Sequence, residues 1–362
     1  MEELERYIGE IKKILGFDIS KEKMLETNNA ILFNEAIKKN IYFLKYGIEK
    51  IYNIAKENNI ANDILKENIE YLFYFCENET RIEKLKESIK ILKEYGEDYI
   101  LVCIDIDDVM YDSEPIKQED LERIDFKASN KYRQSLTSLP TEDSKGETNE
   151  TYARLDAILE EYPYIETPED GRKIVHNYEK IDYKKYYVKE NLLPKKENDD
   201  KSPKADECVN TLLNMRDDRT FVIYLSHINP VREGMEKIKQ LLKLTPKIDG
   251  IITLPYHKQK GDSTASSKAL FVNDRLTLGN LNNCILIDNS KSNCKDWRKH
   301  GGIDIRFLTT GFEEPYNLED HLLRLPSLDP YAIQFALSGI KYIRENPNYL
   351  DTINDNQKVL RK

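Results

Sequence analysis

Three acidic residues stand within four positions directly after an apolar run. Asp105, Asp107 and Asp108 follow the segment Tyr99–Ile104, whose β-branched residues are typical of a strand buried on both faces. Clustered carboxylates repel one another and lose hydration, so they destabilise a fold unless a cation compensates them. Carboxylate oxygens of this kind suit Mg²⁺. We therefore predict a divalent-metal site at the end of this strand, and we favour it over a solvated turn.

Two later apolar runs also end in residues that could do chemistry. Ser226 follows the predicted strand Phe221–Leu225, and Asp288 follows Cys284–Ile287. Lys268 begins a predicted helix about twenty residues before Asp288. Taken alone, such a serine is more often a cap, and such a lysine is more often solvated. Open α/β sheets place ligands at the carboxyl ends of their strands, so we predict that these residues meet in one pocket.

This ordered set resembles the phosphatase branch of the haloacid dehalogenase superfamily. The resemblance covers about residues 97–307. It is carried by the first motif Asp105-Ile106-Asp107-Asp108-Val109, by Ser226 after its strand, by a motif lysine, and by Asp288-Asn289. Lys268 matches the motif lysine best, with Lys258 and Lys260 as rivals. Many relatives carry two successive acids in the fourth motif, so Asn289 is a departure that removes one negative charge.

The resemblance implies a mechanism as well as a fold. Asp105 would attack phosphorus and form an aspartyl-phosphate, and Asp107 would act as general acid and then general base. Ser226 and Lys268 would bind the phosphoryl oxygens. Mg²⁺ would be held by Asp105, the main-chain carbonyl of Asp107, and Asp288. Asp107 separates phosphatases from dehalogenases, since a halide leaving group needs no acid.

Two residues beside Ser226 are further candidates. His227 and Asn229 follow it closely, and we expect His227 to contact the substrate phosphate. Local capping by Asn229 ahead of Pro230 explains that residue equally well.

The remaining sequence predicts the scaffold that brings these residues together. Strand-like runs alternate with helical patterns, which is typical of an α/β, Rossmann-like, mainly parallel sheet. The predicted strands are Tyr99–Ile104, Phe221–Leu225, Gly250–Leu254, Cys284–Ile287 and Ile303–Phe307. The predicted helices between the later strands are Val231–Leu244, Ser266–Leu276 and Ser292–His300.

We divide the chain into a helical region at 1–97, an α/β core at 98–312 and C-terminal helices at 313–362. A long cap-like insertion at 110–219 interrupts the core, with helices predicted at Tyr152–Glu161 and Pro168–Lys180. Its tyrosines and lysines are candidates for stacking on a base and meeting phosphates, although packing explains the tyrosines better. They are Tyr178, Tyr183, Tyr186, Tyr187, Lys180, Lys184, Lys185 and Lys189.

Composition narrows the classes of protein. The chain has 362 residues, of which 40% are hydrophobic and 33% charged, so it can build a core. A net charge of −10 argues against broad binding to nucleic acid or anionic membranes. No apolar run reaches the length of a membrane span, and we expect a cytoplasmic protein. The five cysteines form no CxxC pair and read as buried apolar residues.

Three functions are compatible with these patterns. The first is an Mg²⁺-dependent phosphomonoesterase acting on a small ester, with a nucleotide 5′-phosphate preferred because the motifs look similar to 5′(3′)-deoxyribonucleotidases. The second is a phosphatase of nucleic-acid ends, suggested by the long insertion. The third is a binding protein without turnover, suggested by Asn289 and by the N-terminal helices, which could also bind a protein partner.

Overall fold

The computed structural model describes most of the predicted core and parts of the rest. The described residues are 2–15, 18–20, 44–58, 62–116, 165–166, 174–175, 181–194, 203–228, 231–255, 267–277, 279–307, 323–325, 328–331, 333–335 and 337–338.

Eight strands lie in these ranges, and six of them form one parallel sheet. In chain order they are β1 (Ile100–Ile104), β2 (Ile165–Glu166), β3 (Ile174–Val175), β4 (Thr220–Ile228), β5 (Gly250–Pro255), β6 (Cys284–Asp288), β7 (Ile303–Phe307) and β8 (Leu323–Leu325). The sheet order is β5-β4-β1-β6-β7-β8, and every neighbouring pair is parallel. The predicted α/β class with a parallel sheet is confirmed.

Helices cover both faces of the sheet. They are α1 (Glu2–Leu15), α2 (44–57), α3 (Asp63–Glu94), α4 (Ala205–Met215), α5 (Val231–Leu244), α6 (Lys268–Val272), which continues into a π-helical turn at Asn273–Thr277, and α7 (Lys291–Lys299). Short 3-10 turns lie at Tyr183–Lys185 and Lys189–Asn191.

The central strand β1 is buried along its whole length. Its alternate residues enter two different apolar cores, because successive side chains of a strand point to opposite faces. Ile100, Val102 and Ile104 pack in a core that includes α1, α4 and α5, whereas Leu101 and Cys103 pack in a core that includes α6 and Trp297. A strand buried in this way has little room for polar residues until it ends.

The order of the strands places a switch point at β1. The chain passes from β1 outward through β4 to β5, and then crosses to the other side of β1 for β6, β7 and β8. The connections leave β1 in opposite directions, so a crevice forms at the carboxyl ends of β1, β4 and β6. Asp105, Ser226 and Asp288 all lie at that edge.

The long helix α3 joins the N-terminal region to the sheet. It packs on α5 and β5, and its side chains contribute to both apolar cores. Asn78 of α3 donates from Nδ2 to the carbonyl of Ile251 at 2.8 Å and accepts from the amide of Ile251 at 2.8 Å. These two bonds satisfy the backbone amide and carbonyl of Ile251 on the outer edge of β5, as a neighbouring strand would.

The structure corrects three expectations about the less regular regions. The helix predicted at Pro168–Lys180 is wrong at Ile174–Val175, because this β-branched pair forms an antiparallel ladder with β2. The stretch 313–362, predicted as helices, also contributes β8 to the sheet, although described residues between 330 and 338 are helical. Finally, α4 lies inside the predicted insertion 110–219 yet packs its Leu212 in the main core. Tyr152–Glu161 lies outside the described residues.

Two expectations from composition can be checked directly. All five cysteines are buried and free, as expected for small apolar residues in a core. None of the helices in the described ranges combines the length and apolar character needed to cross a bilayer.

The pair of hydrogen bonds between Asn78 and Ile251 gives a stability prediction. We expect Asn78→Leu to lower the free energy of unfolding by about 2–4 kcal/mol, because it leaves a buried amide and a buried carbonyl of Ile251 without partners. Urea unfolding measures this change. Glu87→Ala, at an exposed position of the same helix, is the control and should change stability by less than about 0.5 kcal/mol. An equally small effect of Asn78→Leu would contradict the edge-capping role.

Candidate active site

Asp105 marks the end of β1. Its amide still donates to the carbonyl of Ile287 at 2.9 Å, so the residue is held by the neighbouring strand β6. The chain then turns, with the amides of Met110 and Tyr111 both donating to the carbonyl of Ile106. Asp108 has φ +57°, a left-handed conformation that non-glycine residues seldom adopt. The turn therefore sets the direction of the Asp107 carboxylate relative to that of Asp105.

A single buried lysine joins Asp105 to Asp288. Lys268 Nζ lies 2.7 Å from Asp105 Oδ1 and 2.6 Å from Asp288 Oδ2. Lys268 and Asp288 are 3% and 0% exposed, and Asp105 is 7% exposed. Because one ammonium contacts both carboxylates, the ends of β1 and β6 converge at one place, as the strand pattern predicts.

Local capping holds both partners of this bridge in place. Ser267 precedes α6 and accepts from the amide of Leu270, which fixes the start of the helix that carries Lys268. Ser267 Oγ also donates to Asp296 Oδ2 of α7 at 2.8 Å. Asp288 Oδ1 accepts from the amide of Ser290 at 2.8 Å, and Asn293 Nδ2 donates to Asp288 Oδ2 at 3.0 Å.

Burial and crowding make Asp105 a weak acid. Desolvation by burial, together with the nearby Asp288 carboxylate, raises the pKa of Asp105 to about 7, although Lys268 works against this shift. Burial alone would lower the pKa of Lys268, but Asp105 and Asp288 outweigh it and raise that pKa above the usual value. The lysine therefore stays charged. Its single positive charge cannot compensate both carboxylates, so the pKa of Asp105 stays raised.

A second buried lysine serves Asp107 in the same way. Lys237 of α5 is fully buried, and its Nζ lies 2.6 Å from Asp107 Oδ2 and 2.8 Å from Glu233 Oε1. Nζ also donates to Ser226 Oγ at 3.2 Å and to the carbonyl of His227 at 3.1 Å. Burial would lower the pKa of Lys237, but the Asp107 and Glu233 carboxylates raise it.

Sequence reasoning missed both Lys237 and Glu233. A lysine in a charged helix reads as solvated, and α5 also carries the lysines at 239 and 243. One signal was available: Lys237 lies four positions before Leu241, a buried residue, so it falls on the apolar face of the helix. Glu233 stands one turn earlier, at the spacing of a helical ion pair.

Tyr187 connects the tyrosine-rich segment of the predicted insertion to this second cluster. Its hydroxyl lies 2.8 Å from Glu233 Oε1 and 3.1 Å from Asp107 Oδ1. Its ring packs against Tyr111 and Tyr183, and both Tyr183 and Tyr187 are buried. These two tyrosines thus pack the segment onto the core and present no ring face to a substrate base.

The structure brings together most of the predicted site residues. Ser226 Oγ lies 3.2 Å from Asp107 Oδ2, which places the end of β4 next to the first motif. His227 is half-buried, and its main-chain carbonyl faces Lys237. The departure residue Asn289 donates to Asp108 Oδ2 at 3.3 Å and so braces the turn after β1. Outside the described residues lie the rival lysines Lys258 and Lys260, together with Asn229, Tyr178 and Lys180.

Two lysines of the tyrosine-rich segment, Lys184 and Lys185, form ion pairs with nearby acidic residues. Lys184 Nζ lies 2.6 Å from Glu67 of α3, and Lys185 Nζ lies 3.8 Å from Asp182. These contacts bind the segment to α3 and to itself, so the described contacts give these lysines a structural role.

The donor set at the strand ends fits a hard divalent cation in its chemistry. Across the described ranges, no group of three or more His, Cys, Asp or Glu side chains is arranged to hold a metal ion. A metal here would therefore rest on Asp105, Asp288 and main-chain or water oxygens. The amide of Ile106 and Lys268 Nζ both contact the Asp105 carboxylate at Oδ1, so Oδ2 is the oxygen left to a ligand. Four carboxylates face two ammonium groups, an excess of negative charge that a divalent ion would balance. They are Asp105, Asp107, Glu233 and Asp288 against Lys237 and Lys268.

The raised pKa of Asp105 gives a prediction about stability and pH. A carboxyl whose folded-state pKa is about 7 destabilises the fold as pH rises from about 4 to about 7, because ionisation is easier in the unfolded chain. We expect Asp105→Asn to raise the melting temperature at pH 8 by several degrees, with the gain disappearing near pH 4. Differential scanning calorimetry at both pH values measures it.

A second buried strand aspartate provides the control for that measurement. Asp304 of β7 is 3% exposed and is ion-paired with Arg298 Nε at 3.0 Å. Asp304→Asn should lower the melting temperature at pH 8, since it removes a satisfied pair. If Asp105→Asn also lowered it at pH 8, the crowding described for Asp105 would be contradicted.

Comparisons with known proteins give similarity to solved structures only. Neither a family model nor a curated protein matches the chain.

The solved structures that it resembles are hydrolases of the haloacid dehalogenase superfamily and related enzymes. The putative HAD-hydrolase YfnB from Bacillus subtilis, bound to magnesium, is 14% identical with a TM-score of 0.34, covering 64% of this chain and 96% of its own. A haloacid dehalogenase-like family hydrolase from Xanthomonas campestris is 15% identical with a TM-score of 0.36, covering 68% and 99%. A putative beta-phosphoglucomutase from Thermotoga maritima is 15% identical with a TM-score of 0.33, covering 66% and 99%. Similarity at this level carries no argument about activity, which has to come from the strand ends themselves.

Proposed function

We propose that this protein is an Mg²⁺-dependent phosphomonoesterase that works through an aspartyl-phosphate. The observation that carries the proposal is the bridge from Lys268 Nζ to Asp105 at 2.7 Å and to Asp288 at 2.6 Å, at the switch point of a parallel sheet. Asp107 and Ser226 lie at the same edge. The order and spacing of these residues resemble the four motifs of haloacid dehalogenase-type phosphatases.

Asp105 is suited to be the nucleophile. The amide of Ile106 and Lys268 Nζ both hold Oδ1, at 2.8 and 2.7 Å, and so orient the carboxylate with Oδ2 available. Attack by Oδ2 forms a bond to phosphorus while the bond from phosphorus to the leaving oxygen breaks. Lys268 keeps its charge next to the reacting carboxylate and compensates the negative charge that gathers on the phosphoryl oxygens.

Asp107 is suited to move the protons of both half-reactions. Its side chain is 31% exposed, so a substrate or water can reach it, whereas Asp105 lies deeper. In the first step it gives a proton to the leaving oxygen, and in the second it takes a proton from the water that attacks the aspartyl-phosphate. Ser226 is 0% exposed and its Oγ lies 3.2 Å from Asp107 Oδ2, so in this structure it supports Asp107, while the resemblance assigns it a bond to a phosphoryl oxygen.

Mg²⁺ completes the charge balance of this site. When bound, it supplies positive charge against the phosphoryl oxygens, and Asp105, the main-chain carbonyl of Asp107, and Asp288 would hold it. Asp288 is preoriented for this by Ser290 and Asn293.

The presence of Asp107 favours phosphate esters over carbon–halogen bonds as substrate. An alkoxide leaving group needs a proton, whereas a halide leaves without one. Similarity of the first motif and of the Asp288 region to deoxyribonucleotidases makes a nucleotide 5′-phosphate the preferred small substrate. The buried rings of Tyr183 and Tyr187 leave base recognition to other residues.

The proposal predicts a specific pattern of turnover. We expect release of inorganic phosphate from p-nitrophenyl phosphate and from nucleoside monophosphates, with activity that EDTA abolishes and added Mg²⁺ restores. Asp105→Asn should lower kcat by about 10³-fold or more, because it removes the nucleophile. Asp274→Asn, an exposed aspartate beside α6, is the control and should keep wild-type rates.

Other outcomes of the same assay point elsewhere. Preference for a 5′- or 3′-phosphorylated oligonucleotide over mononucleotides would redirect the activity to nucleic-acid ends. An Mg²⁺-dependent rise in melting temperature without phosphate release would indicate a binding protein. Wild-type turnover in Asp105→Asn would contradict the proposed function.

A further inference from the structure

The cluster around Lys237 lies beside the proposed acid but cannot itself contact a substrate. Lys237 is 0% exposed, and its Nζ is enclosed by Asp107, Glu233, Ser226 and the carbonyl of His227. A fully enclosed ammonium has no open side from which a ligand could approach. Its effect on a reaction must therefore pass through Asp107 or Ser226, the residues that it holds.

The two oxygens of Asp107 have different partners. Oδ2 contacts Lys237 Nζ at 2.6 Å and Ser226 Oγ at 3.2 Å, both on elements of the rigid core. Within the described part of the chain, Oδ1 accepts a hydrogen bond only from the hydroxyl of Tyr187, at 3.1 Å. Because the ammonium occupies Oδ2, a proton carried by Asp107 has to sit on Oδ1.

Tyr187 has an alternative acceptor. Its single hydroxyl proton faces Asp107 Oδ1 at 3.1 Å and Glu233 Oε1 at 2.8 Å, and it can be donated fully to only one of them. The shorter contact is to Glu233. When a leaving oxygen takes the place of Tyr187 at Oδ1, the hydroxyl can remain bonded to Glu233 without becoming a buried unpaired donor.

We propose that Lys237 is a positioning residue that anchors Asp107 through Oδ2 and so presents Oδ1 to the leaving oxygen, with Glu233 holding both Lys237 and Tyr187. This inference rests on the proposed phosphatase function and adds to it a second lysine outside the four motifs. Lys268 orients the proposed nucleophile Asp105, and Lys237 orients the proposed proton carrier Asp107.

A pair of substrates separates positioning of the acid from general damage. A nitrophenolate leaves without a proton, whereas an alkoxide needs one, so misplacing Asp107 should harm alkyl phosphates selectively. Because Asp107 also acts as the base of the second half-reaction, which both esters share, the readout is kcat/KM, which reports formation of the aspartyl-phosphate. We expect Lys237→Met to lower kcat/KM for an alkyl phosphate by about 100-fold or more, but for p-nitrophenyl phosphate by less than about tenfold.

Lys239 offers a matched control on the same helix. It is also buried, at 5% exposure, but its ion pairs are with Glu236 of α5 at 2.9 Å and Glu70 of α3 at 3.8 Å, and not with Asp107. Lys239→Met should lose stability as Lys237→Met does, yet keep the wild-type ratio of the two rates. An equal loss on both esters in Lys237→Met would overturn the inference while leaving the phosphatase function intact.

A crystal structure of Lys237→Met tests the positioning without relying on turnover. We expect the Asp107 carboxylate to turn away from Ser226, lengthening the 3.2 Å contact beyond hydrogen-bond distance. An unchanged Asp107 would overturn the inference. If the wild-type protein hydrolyses no phosphate ester, the proposed function fails by itself. The conformation of Asp107 in the Lys237→Met crystal structure still decides whether Lys237 positions it.

Discussion

Negative charge buried at the ends of strands is the constraint on which this structure depends. Four carboxylates gather where β1, β4 and β6 terminate, and each of two buried lysines contacts two of them. Lys268 joins the ends of β1 and β6, and Lys237 joins the loop after β1 to α5. Such groups destabilise a folded protein unless their partners are rigidly placed. Much of the surrounding architecture can be understood as placing these two lysines.

The scaffold achieves this placement through the direction of its connections. The two connections of β1 leave it in opposite directions, and such a switch point is where open α/β sheets place their ligands. Ser267 fixes the start of α6 and ties it to α7, which sets Lys268. On the other side, α3 packs along α5, where Tyr71 donates to Glu236 at 2.5 Å. The N-terminal helices thus support the helix that carries Lys237, which gives that region a structural role next to the site.

The parts of the fold that were predictable share a simple physical origin. Strands buried on both faces have to be continuous apolar runs, so their positions and their polar ends are visible in the sequence, and Asp105, Ser226 and Asp288 follow directly. Lys268 could be predicted from the sequence because it starts a helix between two such strands. By contrast, β3 and β8 have two and three residues, too few to show a period, and tertiary pairing decides them.

The contacts of Lys237 and Tyr187 could not be predicted for a different reason. These contacts depend on which face of α5 and which side of the tyrosine-rich segment turn inward, and a lysine in a charged helix is usually solvated. The pairing of Lys237 with Asp107 spans 130 positions of the chain. Local pattern carries no information about such a contact, whereas the three-dimensional packing determines it.

The central claim is that the Asp105 carboxylate, held by Lys268 and facing Asp288, is where a phosphoryl group is received. A crystal structure with Mg²⁺ and beryllium fluoride tests this most directly, because beryllium fluoride mimics a phosphoryl group on an aspartate. We predict density for the trifluoride bonded to Asp105 Oδ2, with fluorine atoms within hydrogen-bond distance of Ser226 and Lys268 and a cation shared with Asp288. A trifluoride group bound at another aspartate, or none at Asp105 in fully soaked crystals, would contradict the account.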